Sequence, residues 1–567
     1  MSRQTTQSLQ PTLRLPETVM RLERLGAFHQ TRISFVRSLV RKMAADAWSI
    51  ERARFELDNE GYGLCIYRAM IDGKEQRPNE VYSLIIFSMY LDDELRSDRV
   101  IAEAWDVAFC LFEGDPSEDE LAELRANLPK QEAGRCWPKV LVLSRANKSV
   151  RNFTHVVETL AQGKQPDASK LAKVGYLYRT TAVYGNGKFG LADFEKVQQR
   201  NALAGSFRAQ MFTVYMLRQF SIDQANYMAY VCNPDQAVPL DKKLARYLGI
   251  GNSTGLGMAP FLVSHPLLIN QWILMRETAL ARAIEAGVTP AHIDRFRLLV
   301  ARARVHVAEI FTDHAPQAAK NAQMLRELGE LAMWTIQSWQ QLVNDAAKTW
   351  SLETQEMIHS ILIELYPELV DELGEQMGVD EVYDVTPQMP LVQLRSLIES
   401  RYAWALAVDF DDPVEQTLFW YRSAEKEEPR IGQRFEEPGA EKEIQLAIGR
   451  DVRDCYDLLC TDLAQHPTAL TCEFLLRHPQ QRGIVRRIQS MSATDYGDIQ
   501  DNLLAESCLP IHLLRCKLSF FGASKFDPKS SLWVRITLFQ GAPLMSELTP
   551  AFTDDWFLPT MPTGPDI

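Results

Sequence analysis

From Phe194 to Tyr366 the sequence keeps helical spacing almost without a break, and runs of strand character lie on either side of that stretch. A helical middle between two strand-bearing ends is the arrangement the fold must satisfy. On the N-terminal side "IERARFELD" alternates, "YGLCIYRAMIDG" is β-rich and ends on a turn, and "VYSLIIFSMY" has the unbroken apolar character of a buried strand. Helices are then expected over "RVIAEAWDVAFCLF" (Arg99 to Phe112), over "PSEDELAELRANL", where Ser117 and Glu120 form a capping box, and from about Pro138 to Ala161. On the C-terminal side "AWALAVDF" and "TLFWYRS" read as strands near residues 403 to 423. Helices resume from Ile444, and "SLWVRITLF" is a strand before a Pro-rich tail.

Two phrases repeat across this plan. "RTTAVYGNGKFG" (Arg179 to Gly190) and "RCKLSFFGASKFD" (Arg515 to Asp527) share arginine, aromatic, glycine, lysine and phenylalanine in order. Each is preceded by two β-runs, an acidic link and a helix, with Asp106-Val107 answering Asp451-Val452. The expected fold class is α+β, mainly α: two related modules, each a small antiparallel β element plus helices, joined by a helical middle region. The expected boundaries are 1–193, 194–394, 395–545 and a tail at 546–567.

Composition removes several classes of function. A formal net charge of −13 argues against general binding to phosphodiester backbones. The 9 cysteines show no CxxC spacing, which fits a reducing compartment. The start "MSRQTTQSLQPTLRLPETVMRL" lacks a secretory h-region. The most apolar stretch, "FLVSHPLLINQWILM", is too short and polar for a bilayer, so no membrane partner and a cytoplasmic location are expected. A lone E-x-x-H, Glu356 to His359, falls short of the paired motifs a carboxylate metal bundle needs, so no metal or cofactor is expected.

The candidate site is drawn from the glycine-rich phrases. Gly185, Gly187 and Gly190 around Lys188 form a permissive loop that can turn backbone N–H groups toward an anion, with Arg179 upstream. It is not a nucleotide P-loop, because Ala182 and Phe189 stand where glycine and a hydroxyl residue are required. "GIGNSTGLGMAPF" (Gly249 to Phe261) adds Asn252, Ser253 and Thr254 at an expected helix entry. Arg515 and Lys525 are the corresponding cations of the second phrase, secondary or structural. "LSRANKSVR" places Arg145, Lys148 and Arg151 on one expected helical face. These features point to a cytoplasmic enzyme acting on a small anionic metabolite bearing phosphate, carboxylate or sulfonate. The alternative is a non-enzymatic sensing or scaffold protein whose helical region meets a partner or a second copy.

Overall fold

The computed structural model describes residues 12–72, 79–89, 105–127, 138–180, 202–205, 207–255, 266–376, 386–411, 420–423, 429–431, 443–446, 448–500, 510–530, 533–553 and 556–563. The chain divides into two compact units. A helical unit comprises residues 1–33, 259–300 and 326–517; a sheet unit comprises 34–258, 301–325 and 518–567.

The sheet unit is built on nine strands in the order β1-β2-β3-β4-β5-β6-β7-β12-β11. The first six are Ser49–Leu57, Gly63–Ile71, Glu80–Ser88, Val107–Glu113, Val140–Lys148 and Tyr176–Thr180 (β1 to β6), an antiparallel meander. Gly249–Gly255 (β7) then pairs parallel to β6, so the sheet is mixed. Lys525–Pro528 (β11) and Trp533–Leu538 (β12) complete it, with β12 antiparallel to β7 and β11 at the edge. The other edge, β1, carries Glu51, Arg52, Arg54 and Glu56, charges that discourage further strand addition.

Alternation assigns the faces. Leu64, Ile66, Ile85, Phe87, Ala108, Cys110 and Phe112 pack with Leu121 and Leu124 of the helix Glu118–Asn127. On the opposite face Tyr67 and Tyr178 reach the long helix Arg208–Cys232, donating to Asp223 and Gln224 at 2.7 Å each. The capping box forms as expected: Ser117 N–H donates to Glu120 and Glu120 N–H to Ser117 Oγ. Arg218, fully buried on the long helix, has no carboxylate hydrogen-bonded to it among the described residues. Instead it donates to the carbonyls of Leu248, Ala245, Arg246, Ala542 and Pro543 at 2.6–3.1 Å. Three of these lie at or beyond the end of the helix Lys242–Tyr247, where the dipole favours a cation. Burial still lowers the Arg218 pKa to about 10.

In the helical unit Pro266–Glu285, Trp339–Thr349 and Leu352–Glu364 pack on one another. A second core gathers Leu391, Leu394, Ile398, Val452, Leu459, Phe474 and Ile488. Three short strands, Trp420–Ser423 (β8), Pro429–Ile431 (β9) and Glu443–Leu446 (β10), form a separate sheet in the order β10-β8-β9.

This architecture overturns the expectation of two related α+β modules. The strand near the C-terminus does not found a second small sheet: β12 and β11 extend the sheet begun by β1. Asp106-Val107 opens a strand, whereas Asp451-Val452 lies in the helix Ile448–Gln465, so the proposed correspondence of elements fails. Val107 to Phe112 and Val140 to Val142 are strands because they are buried on both faces, and such apolar runs carry no periodicity that separates strand from helix. Arg145 and Lys148 therefore lie on β5 rather than on a helix. "AWALAVDF" contains the helical turn Ala403–Leu406, in keeping with its alanines, and not a strand. Gly249–Gly255, expected as a loop, is a strand between β6 and β12. Arg179 is on β6, because Gly175 ends the helix Ala168–Val174 in the left-handed region, φ 80°.

Candidate functional site

Four neighbouring strands, β6, β7, β12 and β11, bring together residues from both glycine-bearing phrases. Arg179 pairs with Gly251, Gly251 with Thr537, and Thr537 with Lys525. One step along, Ser253 pairs with Arg535 and Arg535 with Asp527. Paired residues share a face, so Arg179, Arg535, Thr537, Lys525 and Asp527 project from one side of the sheet. Between them Gly251 has no side chain, and the Tyr176 ring fills its place: a Cβ there would lie 2.3 Å from the ring. The result is a phenol on a glycine floor with a guanidinium-bearing strand on either side.

Electrostatics support that convergence. Burial pushes the Tyr176 hydroxyl above its ordinary range, Arg535 and Arg179 pull it down, and Asp527 adds to the rise. Burial also raises Asp527, while Lys529, 2.9 Å away, and Arg535 hold it back. Arg535 Nε and Asp527 Oδ1 are buried without hydrogen-bond partners among the described residues.

At the edge strand the Lys525 Nζ donates to the Ala172 carbonyl at 2.6 Å and lies over the Tyr247 ring at 5.6 Å. Burial brings its pKa down to about 8, with Glu309 and Asp527 opposing the fall and Arg535 adding to it. An amine of this kind is partly neutral near physiological pH, the condition for a lysine base or nucleophile. Glu309, raised by burial, accepts from Met561 N–H at 2.7 Å. His306 lies against Pro559 O at 2.7 Å and is pushed down to about 4 by burial, so it is neutral at pH 7.

The remaining expected residues sit elsewhere. Asn252 is buried on the other face of β7, and its side-chain amide donates to Thr180 O. Ser253 and Thr254 contribute backbone to β7. Arg515 belongs to the helical unit, where it pairs with Glu353 at 2.8 Å and lies against His29. Lys188 lies outside the described residues. Gly522 ends the helix Leu513–Phe521 at φ 98° with its Cα against Val36, so the second phrase contains a helix end before β11. Sequence reading missed Tyr176, Arg535, Asp527, Thr537 and Gln540. The signal that was present is Gly175, a C-cap glycine that puts "YLYRT" on a strand.

The E-x-x-H pair lies in a different setting, in the helical unit. Glu356 Oε1 accepts from Arg14 at 2.9 Å and Arg24 at 2.7 Å, and its Oε2 accepts from Arg276 at 2.7 Å. Arg14 also clasps Glu277 with two bonds, at 2.6 and 2.7 Å. Arg276 stacks on Phe28, 4.0 Å from the ring centroid. His359, against Arg14 and Glu356, is pushed down to about 4 by burial. Three guanidiniums already take the lone pairs a metal would need. Among the described residues no cluster of His, Cys, Asp and Glu has metal-site form, and no helix is long and apolar enough to cross a membrane.

No family model, curated protein or solved structure matches the chain.

Proposed function

We propose that this chain binds a small anionic metabolite, carrying a carboxylate, phosphate or sulfonate, at the Gly251 corner of the nine-stranded sheet. Arg179 and Arg535 supply the positive charge and Tyr176 the apolar floor. The observation that carries this reading is the Arg535 guanidinium: its Nε is buried and without a partner among the described residues, on the face where Arg179 also projects. A buried guanidinium donor left unmatched is costly, and a planar oxyanion answers it with two parallel hydrogen bonds. Lys525, on the same face with its lowered pKa, supports action on the ligand as well as binding.

The test is a thermal-shift screen of the full chain against phosphorylated, carboxylated and sulfonated metabolites. NMR of the same mixtures follows any conversion. Binding at this corner predicts a ligand-dependent rise in Tm that Arg179→Gln and Arg535→Gln each reduce, with little change in the ligand-free Tm. Conversion lost in Lys525→Met identifies an enzyme; binding without conversion identifies a sensor. A hit unaffected by either arginine substitution sinks the placement.

A further inference from the structure

The helix Pro290–Ala308 buries one face and leaves the other in solvent. Phe296, Leu299, Val300 and Val307 are buried, with the Phe296 ring 5.2 Å from Trp339 and His306 against Pro559 O. The outward face carries a second apolar line. Ala291, Leu298 and Val305 recur every seven residues, with Asp294, Ala301 and Ala308 three residues after each, and all six are exposed. Leu298 and Val305 leave 58% and 50% of their surface open. This is the a/d spacing of a coiled-coil seam. The positions that flank such a seam, e and g, are Arg295, Arg297, Arg302 and Arg304, an arginine at every one between Ala291 and Ala308. Arg302 is half-buried; Arg295, Arg297 and Arg304 are exposed and have no ion pair among the described residues.

We propose that this seam docks an acidic amphipathic helix of a partner protein, apolar at its own a and d positions and bearing Glu or Asp at e and g. A single exposed leucine carries no such meaning. Here Leu298 and Val305 stand one heptad apart, on a line that arginines border on both sides. Charge decides the occupant. A second copy laid on the same seam, parallel or antiparallel, sets arginine against arginine, whereas glutamates at the flanking positions pair with them. The net charge of −13 opposes the approach of nucleic acid. A seam of alanines with one leucine, one valine and no aromatic side chain has little to bury in a lipid surface. Ala301 and Ala308 leave shallow holes, so the partner supplies the large knobs that face them. Asp294, a charge at a seam position, calls for Lys or Asn opposite and so sets the register. From Ala291 to Ala308 the seam runs about 26 Å, a small interface that limits the contact to a transient one of micromolar strength. The proposal does not rest on the Gly251 reading.

The probe is a synthetic heptad peptide with Leu at a and d and Glu at e and g, compared with one bearing Lys at e and g. Fluorescence anisotropy reads the affinity of each for the full chain at low and high salt. The expected result is saturable micromolar binding of the Glu peptide, weaker at high salt, with the Lys peptide about tenfold weaker or more. Arg297→Glu combined with Arg304→Glu reverses that preference, an exchange that loss of folding cannot produce. Leu298→Asp weakens Glu-peptide binding about tenfold, and the Tm of the free chain is unchanged in both variants because the altered side chains are exposed. Equal binding of the two peptides, or no saturable binding of the Glu peptide up to millimolar concentration, overturns the proposal. So does dimerisation of the wild-type chain that Leu298→Asp abolishes, or binding to phosphatidylserine vesicles without binding to the peptide.

Discussion

The buried charge cluster of the helical unit and the glycine corner of the sheet unit handle the same problem in opposite ways. Around Glu356 every strong acceptor is matched: both oxygens are taken by arginines, and Glu277 is clasped by Arg14. Around Gly251 the Thr537 hydroxyl and Arg535 Nε have no hydrogen-bond partner among the described residues. Buried polar groups in folded proteins are almost always satisfied. The carboxylates of the first cluster hold segments together, although Arg276 Nε also lacks a partner among the described residues; the unmatched groups of the second are where the proposed ligand would bind. The contrast fixes what mutation should do in each place.

The largest effect belongs to the saturated cluster. Glu356→Ala leaves Arg14, Arg24 and Arg276 facing one another without their common acceptor, and removing one partner of a buried pair costs about 3–5 kcal/mol. Urea denaturation measures it; a loss below 1 kcal/mol erases the distinction drawn above. Arg218→Met, which strips five carbonyls of their shared donor, is next, at roughly 2–4 kcal/mol in the same assay.

A pH titration sharpens the comparison further. His359 and His306 have folded values near 4 against about 6.5 in an unfolded chain, so the folded protein holds both neutral. The unfolded state takes up their protons first, and stability declines as pH falls from about 6.5 toward 4. Glu277 and Glu356, held below the usual carboxylate range by arginine charge against the opposing effect of burial, add a further loss below about pH 4.5. His359→Gln and His306→Gln should each flatten part of the slope between pH 6.5 and 4.5; a flat wild-type profile there contradicts both assignments.

At the corner the sign reverses. Thr537→Val removes a buried hydroxyl that has no partner, so the ligand-free chain gains up to about 1 kcal/mol while affinity for the ligand falls. Smallest is Arg179→Gln, on a half-buried side chain, expected within about 0.5 kcal/mol of wild type and visible only in ligand-induced Tm. Destabilisation by Thr537→Val comparable to that of Glu356→Ala would make the corner a structural cluster like the other.

Strands whose residues alternate polar and apolar were legible in the sequence. β1 shows its alternation in "ERARFEL", and β12 in "WVRITL". β4 and β5 were not, because burial on both faces erases the alternation that distinguishes strand from helix. For the site, Arg179 and Lys525 stood out as cations beside glycines. Their proximity depends on β12 lying between β7 and β11, a pairing of residues far apart in the chain that no local pattern encodes. The same holds for Arg14 and Arg24, whose partners Glu277 and Glu356 lie far along the chain.

That long-range pairing has a consequence during synthesis. β7 is finished at Gly255, but its neighbour β12 ends at Leu538, with nearly the whole helical unit encoded between them. At ribosomal rates of about 5–20 residues per second, the β7 edge waits roughly 15–60 s for its partner. An exposed strand edge over that interval is a template for another nascent chain. β7, "GIGNSTG", is poor in the apolar, β-branched side chains that make such an edge adhesive, so the glycines that leave room for Tyr176 also keep the half-made sheet from joining the wrong molecule.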